Sequence, residues 1–361
     1  MRNIEIIAEA GVNHNGSFDL AIQLVDEAKK AGADIVKFQT FITENCLSQN
    51  IGKADYQVSN TGVGSQYEMV KNLELTFDEH KKLKVYCDSV DIKYLSTAFD
   101  FESLDFLVHV LKLETLKIAS GEITNNPLLL AHAKTGCDLI LSTGMCTLGD
   151  IESALGVIAF GFINDLSKTP SDIEFISAYN SNEGQQLIKK KVTILHCTTE
   201  YPAPFSEINL NALKTIRSAF GTKIGYSDHS EGITVPILSV AYDISIVEKH
   251  FTLDKKMVGP DHLASLDPSE FSQMVRSIRQ AKEALGITSK RPTESELKNL
   301  GKIRKVILAK CNITKGEAFS SENLCIKRGR GATQPNKYWD VLGQKASKDY
   351  YTDEPIRVEG I

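Results

Sequence analysis

Residues 223–254 read KIGYSDHSEGITVPILSVAYDISIVEKHFTLD. Two runs in this stretch, 223–228 and 245–251, have the apolar and β-branched character of strands. Each brings a histidine to its end: His229 follows the first run and His250 lies near the close of the second. The two side chains meet only if the strands are parallel neighbours, and parallel neighbours need a crossover connection between them. The fold therefore turns on whether this strand-to-strand step repeats along the chain.

It repeats. Similar runs stand at 5–11 (EIIAEAG), 34–40 (DIVKFQT), 94–99 (YLSTAF), 115–120 (TLKIAS), 139–144 (LILSTG) and 192–197 (VTILHC), which makes eight with the opening pair. Most are followed by apolar residues at helical spacing. After the first run, Leu20, Ala21, Leu24, Val25 and Ala28 share one face, and Gly32 marks the stop. After the eighth, Asp267 is placed as an N-cap with Pro268 in the first turn and Glu270 three residues on. Phe271, Met274, Val275, Ile278 and Leu285 then follow on one face. Strand and helix alternating eight times predict an α/β fold of the (β/α)8 TIM-barrel class over residues 1–285, close to the ~250 residues usual for it. An open doubly wound sheet would usually place a glycine-rich phosphate turn after its first strand. Here NHNG follows, and the barrel is preferred.

Composition narrows the function classes. The 361 residues carry a net charge of −5, against the basic excess of a general nucleic-acid binder. No apolar run reaches the roughly 20 residues that span a bilayer. Seven scattered cysteines, without a C-x-x-C pair, fit reduced thiols in a cytoplasmic protein. Two segments exceed ordinary loop length. Residues 41–76 follow the second strand and so belong at the barrel mouth. Residues 163–190 precede the sixth strand and are expected on the opposite face.

Residues 286–301 (GITSKRPTESELKNL and the glycine after it) read as a polar linker, and 302–361 as a small loop-rich domain. That tail holds 12 Lys and Arg against 7 Asp and Glu, a net +5, which leaves −10 on the rest. A basic tail on an acidic barrel is suited to docking on the barrel, on a second copy or on an anion.

In a barrel of this class the active site is built at the C-terminal ends of the strands. Those ends carry Glu9, Asn13 and His14; Lys37, Gln39 and Thr40; Thr97; Lys117, Ser120 and Glu122; Ser142 and Thr143; His196, Thr198 and Thr199; Ser227, Asp228 and His229; and Glu248 and His250. A single Ser or Thr there is ordinarily a turn or helix cap. Lys37 and Lys117 are different, because they sit inside apolar runs of strands covered on both faces. A buried ammonium is costly unless paired. The expectation is an anionic ligand between them, phosphorylated or carboxylated, with Ser120, Ser142 and Ser227 as hydroxyl donors. His229 and His250, as ends of consecutive strands, are open to two readings on spacing alone: packing residues, or ligands of a divalent metal.

Taken in order, IAEAGVNHNG, DIVKFQTF, LSTAF, LKIASGE, LSTGM, HCTTEYPAPF, GYSDHS, VEKHFTLDKKMVGPDHLAS and IKRGRG resemble the sialic acid synthase (N-acetylneuraminate synthase) family, which includes bacterial legionaminate and pseudaminate synthases. The resemblance implies an N-terminal (β/α)8 barrel and a C-terminal antifreeze-like domain of the SAF, β-clip type. It also implies a domain-swapped homodimer in which one tail caps the other barrel. The implied reaction condenses phosphoenolpyruvate with an N-acylmannosamine-type aldose and releases phosphate, with a divalent metal, manganese or magnesium. By the same resemblance His229 and His250 are the metal ligands. Phosphoenolpyruvate contacts fall on Lys37, Thr97, Lys117, Ser120, Ser142 and Ser227. Sugar contacts fall on Gln39, Glu122, Tyr201, Asp261 and, from the tail, Arg328. Glu9 is placed at the reacting centre, with Lys37 and Lys117 as its catalytic partners.

The chain departs from the family pattern twice. Thr199 stands where some members carry Asn, and the tail loop reads Gly329-Arg330-Gly331-Ala332. The sugar stays open between N-acetylmannosamine, giving N-acetylneuraminate, and 2,4-diacetamido-2,4,6-trideoxymannose, giving N,N'-diacetyllegionaminate. Two competing readings are a metal-independent Schiff-base aldolase using Lys117 or Lys37, and a non-catalytic polysaccharide-binding protein.

Overall fold

The eight runs are strands: β1 (Glu5–Gly11), β2 (Ile35–Thr40), β3 (Lys93–Ala98), β4 (Thr115–Ile118), β5 (Asp138–Ser142), β6 (Val192–His196), β7 (Lys223–Asp228) and β8 (Ile246–His250). They pair in parallel in chain order, and β8 pairs with β1 to close a barrel. The computed structural model describes residues 4–330 and 333–358. Contacts divide the chain into two units, Met1–Gly286 and Ile287–Ile361. No helix among the described residues is long and apolar enough to cross a membrane.

Local rules set the helix ends as the sequence predicts. The helix Phe18–Ala31 stops at Gly32, whose φ of 90° is in the left-handed region that glycine tolerates. The helix Pro268–Leu285 starts at Asp267 with a capping box to Glu270. Its last residue, Leu285, was expected on the buried face but is 49% exposed, because the final turn runs past the barrel wall it packs on.

The barrel interior is layered. Ile7, Ile35, Leu95, Ile140, Leu195 and Ile246 form an apolar plug of buried residues. Each is worth about 1.5–3 kcal/mol of transfer free energy. Gly225 leaves room for this plug: a Cβ there would stand 2.5 Å from Leu195 Cδ2 and 2.8 Å from the Ile246 carbonyl oxygen. Two residues beyond the plug the inward face turns polar, because side chains two apart along a strand share a face. Glu9, Lys37, Thr97, Ser142 and Glu248 take those places and are all buried. Register sets them side by side: Glu9 pairs with Lys37 and with His250, Thr97 with Lys117, and Ser227 with Glu248.

Both long segments contain helices. Residues 41–76 hold Thr43–Cys46, Asp55–Thr61 and Gln66–Lys71. Residues 163–190 hold Asp172–Asn180 and most of Asn182–Lys191, and Phe175 packs edge-on against Phe160 with ring centres 5.4 Å apart. In the second unit, the expected linker holds the helix Glu294–Ile303, started by a Thr293–Glu296 capping box. β9 (Lys305–Ala309) and β10 (Leu324–Arg328) pair antiparallel over a small core that includes Ile307, Phe319, Val341 and Tyr350.

On the outward side of β7 and β8, Lys249 Nζ lies 2.6 Å from Asp228 Oδ2, with both side chains fully buried. Asp228 also accepts from Tyr226 Oη at 2.9 Å and Ser230 Oγ at 2.8 Å. The pair anchors the turn that carries His229. Lys249→Met leaves the Asp228 carboxylate buried without its counter-charge. The expected loss is about 3–5 kcal/mol, read from urea unfolding, and a loss under about 1 kcal/mol would contradict this role.

Candidate active site

The polar layer opens into one cavity of about 340 Å³, within the size range of small-molecule sites. Its floor is a chain of alternating charge. Glu9 Oε2 stands 2.5 Å from Lys37 Nζ; Lys37 stands 3.7 Å from Glu248 Oε2; Glu248 Oε1 stands 3.8 Å from Lys117 Nζ. Gln39 Nε2 donates to Glu9 Oε1 at 3.3 Å. Ser227 Oγ donates to Glu248 at 2.8 Å, and Lys117 donates to Ser142 Oγ at 2.7 Å. The counter-charges of the two lysines are thus the protein's own glutamates. They neutralise the lysines before any ligand binds and so add to the anionic ligand expected between them.

Environment splits the two carboxyls. Burial raises Glu9, and the Glu248 charge adds to that against the pull of Lys37, leaving it at about 7. Burial acts on Glu248 in the same sense, but Lys117 and Lys37 together, with the Ser227 hydroxyl, outweigh it and bring it down to about 2. Burial also lowers Lys117, partly offset by Glu248. Two carboxyls pushed apart in this way can take separate roles, one fixed as an anion and one exchanging a proton near neutrality.

His229 and His250 come together, with ring centres 5.5 Å apart. Tyr201 covers them, its ring 4.2 Å from His229 and 5.6 Å from His250. Burial lowers His229 to about 4 and His250 well below its usual value, so both rings are neutral, the form that ligates metals. His229 Nδ1 lies 2.6 Å from the Thr198 carbonyl, which can only accept. The proton therefore sits on Nδ1, and the Nε2 lone pair is left for a ligand. His250 Nδ1 is buried without a hydrogen-bond partner, 3.8 Å from Asp261 Oδ2. Burial raises the Asp261 carboxyl to about 6. Among the described residues no group of three or more His, Cys, Asp or Glu gathers into a metal cage. The donor set fits a cation held by two imidazoles and otherwise open to solvent and substrate.

The cavity also collects Thr97, Ser120, Ser142, Thr199 and Tyr201. Ser120 Oγ accepts from the Gly144 backbone at 2.9 Å. A Cβ on Gly144 would stand 2.1 Å from Thr199 Oγ1 and 3.0 Å from Ser120 Oγ, so a larger residue there would push these hydroxyls out of their places. Glu122 is not among the lining residues; half-buried, it accepts from Asn125 Nδ2 at 2.7 Å. Asn13 and His196 are also turned elsewhere: Asn13 donates to the Phe251 carbonyl, and His196 Nε2 donates to the Ile208 carbonyl. Arg328 is exposed at the end of β10 in the second unit. Gly331 and Ala332 of the tail loop lie outside the described residues. Sequence reading assigned no role to Glu248, which proves to be the shared partner of both lysines. Its signal was the two-residue spacing from His250, which sets both on the inward face.

The profile of the NeuB family matches residues 24–290. The N,N'-diacetyllegionaminic acid synthase of Campylobacter jejuni is 44% identical over 358 residues, covering 99% of this chain and 100% of that protein. The N,N'-diacetyllegionaminic acid synthase of Legionella pneumophila is 40% identical, over 95% of this chain and 90% of that one. Among solved structures, the N-acetylneuraminic acid (sialic acid) synthetase of Leptospira borgpetersenii, in complex with citrate, is 32% identical. It superposes with a TM-score of 0.66 over 82% of this chain and 90% of its own. With a family match over most of its length and relatives aligned nearly end to end, the chain belongs to the NeuB family.

Proposed function

We propose that this chain condenses phosphoenolpyruvate with an N-acylmannosamine-type aldose to form a nonulosonic acid and phosphate, and that its sugar is 2,4-diacetamido-2,4,6-trideoxymannose. The observation that carries the reaction is the floor of alternating charge, Glu9, Lys37, Glu248 and Lys117, in one cavity with two neutral imidazoles. The choice of sugar is supported by the names and identities of the Campylobacter and Legionella relatives.

Lys37 and Lys117 hold the phosphate and carboxylate of the enol substrate, with Thr97, Ser120, Ser142 and Ser227 as hydroxyl donors around them. That fixes the face of the enol presented to the sugar. Gln39, Tyr201 and Asp261 are placed along the cavity to bind the open-chain sugar. His229 and His250 would hold a divalent cation, manganese or magnesium, which would supply Lewis-acid polarisation of the sugar carbonyl. C3 of the enol forms the new bond to the aldehyde carbon as the enol C=C and carbonyl π bonds break, which leaves an alkoxide on the former aldehyde oxygen and positive charge at C2. Glu9, titrating near neutrality, takes in its ionised form the proton of the water that adds at C2 and passes it to the alkoxide, which becomes the product hydroxyl. The tetrahedral centre then breaks its bond to the phosphate oxygen; phosphate departs with the proton of the C2 hydroxyl, and a 2-keto acid remains. Glu248 stays ionised as the counter-charge that keeps both lysines in place.

As part of the same proposal the enzyme is cytoplasmic, supported by its seven free cysteines. It is also proposed to be a homodimer whose basic tail, an antifreeze-like domain, brings Arg328 to the site of the other copy. The exposure of Arg328 between Lys327 and Arg330 supports that role. One observation favours the imine alternative: burial lowers Lys117, as a Schiff-base lysine requires.

A phosphate-release assay with phosphoenolpyruvate, the diacetamido sugar and manganese separates the readings. The expected result is release that a chelator abolishes and borohydride does not trap. Glu9→Gln leaves Lys37 with Glu248 as its counter-charge, so the variant should stay folded with a lowered thermal midpoint and lose about 10²–10⁴-fold in turnover. Near-normal turnover in Glu9→Gln removes Glu9 from the mechanism, and chelator-resistant, borohydride-trapped activity favours the imine.

A further inference from the structure

We infer that the cavity wall contributed by residues 41–73 selects the sugar by its apolar substituents, and that Leu47 and Met69 are the specificity-determining residues. The inference rests on the reaction proposed above. β2 delivers Lys37 and Gln39 to the charged floor, and the next position in the same alternation is Phe41. From there the wall changes character. Leu47, Met69 and Val70 line it, and a buried cluster of Val12, Phe41 and Leu73 backs it. This cluster is separate from the main barrel core, so the segment has packing of its own over the mouth.

The wall is held in place by polar ties. Asp100 accepts from the Ile42 backbone at 2.9 Å, and Glu74 accepts from Thr43 N at 3.0 Å and Thr43 Oγ1 at 2.7 Å. Asn60 Nδ2 donates to the Pro260 carbonyl at 2.8 Å, beside Asp261. A segment tied at both ends and in its middle presents a defined surface rather than an adaptable one.

The two candidate sugars differ in what they would put against that surface. N-acetylmannosamine carries hydroxyl groups at C4 and C6. The diacetamido trideoxy sugar carries an acetamido group at C4 and a methyl at C6. A hydroxyl against Leu47 or Met69 loses its water without gaining a partner, whereas a methyl is favoured there. Gln57 and Gln66 share the lining and supply amide polarity, the chemistry that pairs with an acetamido group. Apolar pockets discriminate by about 10–200-fold per such group.

Leu47 and Met69 are only partly buried, so polar replacements of similar size are compatible with the fold. The test compares kcat/KM for the two sugars, with phosphoenolpyruvate and manganese, in the wild type, Met69→Gln, Leu47→Asn and the conservative control Leu47→Met. The wild type is expected to prefer the diacetamido sugar. Met69→Gln and Leu47→Asn should each lower that preference about tenfold, while the KM for phosphoenolpyruvate and the preference of Leu47→Met stay at wild-type values. A preference unchanged within twofold in both polar variants, or a wild type that prefers N-acetylmannosamine, overturns the inference and leaves the reaction standing. No phosphate release with either sugar overturns the reaction, and the inference with it.

Discussion

Two ammonium groups inside a closed parallel barrel are the constraint on which the rest of the site depends. Lys37 and Lys117 are each only 3% exposed, on the lining of the cavity. The fold tolerates them because Glu9 and Glu248 stand on the same inward layer: Glu9 is one strand and Glu248 two strands from Lys37, and Glu248 faces Lys117 from across the barrel. The plug of aliphatic residues beneath closes the barrel and holds this layer at the mouth. Charges neutralised by fixed partners cost less to bury than isolated ones, yet they keep strong fields in a medium of low polarity. Such fields suit a reaction that moves negative charge off an enol and briefly builds positive charge at C2.

The same arrangement links chemistry to architecture at the next level. Glu248 and His250 share the inward face of β8, and Ser227 and His229 extend the inward row of β7. Glu248, the shared partner of both lysines, and the imidazole pair are therefore built on two adjacent strands and cannot drift relative to each other. Lys249 and Asp228 brace those strands from the other side. The segment after β2 completes the enclosure with a surface of opposite character, so that one cavity offers charge at its floor and hydrocarbon along its wall.

Much of this was legible in the sequence, for identifiable reasons. The strands were legible because each is a short apolar run bounded by turn residues. Lys37 and Lys117 were conspicuous because a charge inside such a run has few innocent explanations. Glu248 was harder. In VEKHF a glutamate, a lysine and a histidine compete for attention, and only the closed register shows that 248 and 250 face inward while 249 faces out. The helices of 41–76 escaped notice because pieces of four to seven residues carry no usable periodicity. The helix Glu294–Ile303 was passed over as linker because its composition is polar, although Thr293 and Glu296 spell out a capping box. Glu122 is expected from the resemblance among the sugar contacts, but the short helical turn Ser120–Glu122 directs it to Asn125.

The central claim is that one layer of the barrel holds two carboxyls whose titration points are pushed far apart. The most direct measurement is a carbon NMR titration of the apo protein enriched at the glutamate carboxyl carbon, with the two signals assigned through Glu9→Gln and Glu248→Gln. The account predicts that Glu9 titrates at about 7 and that Glu248 remains ionised down to about pH 2. Two signals that both titrate near 4.5, the ordinary value for a glutamate in water, would contradict it.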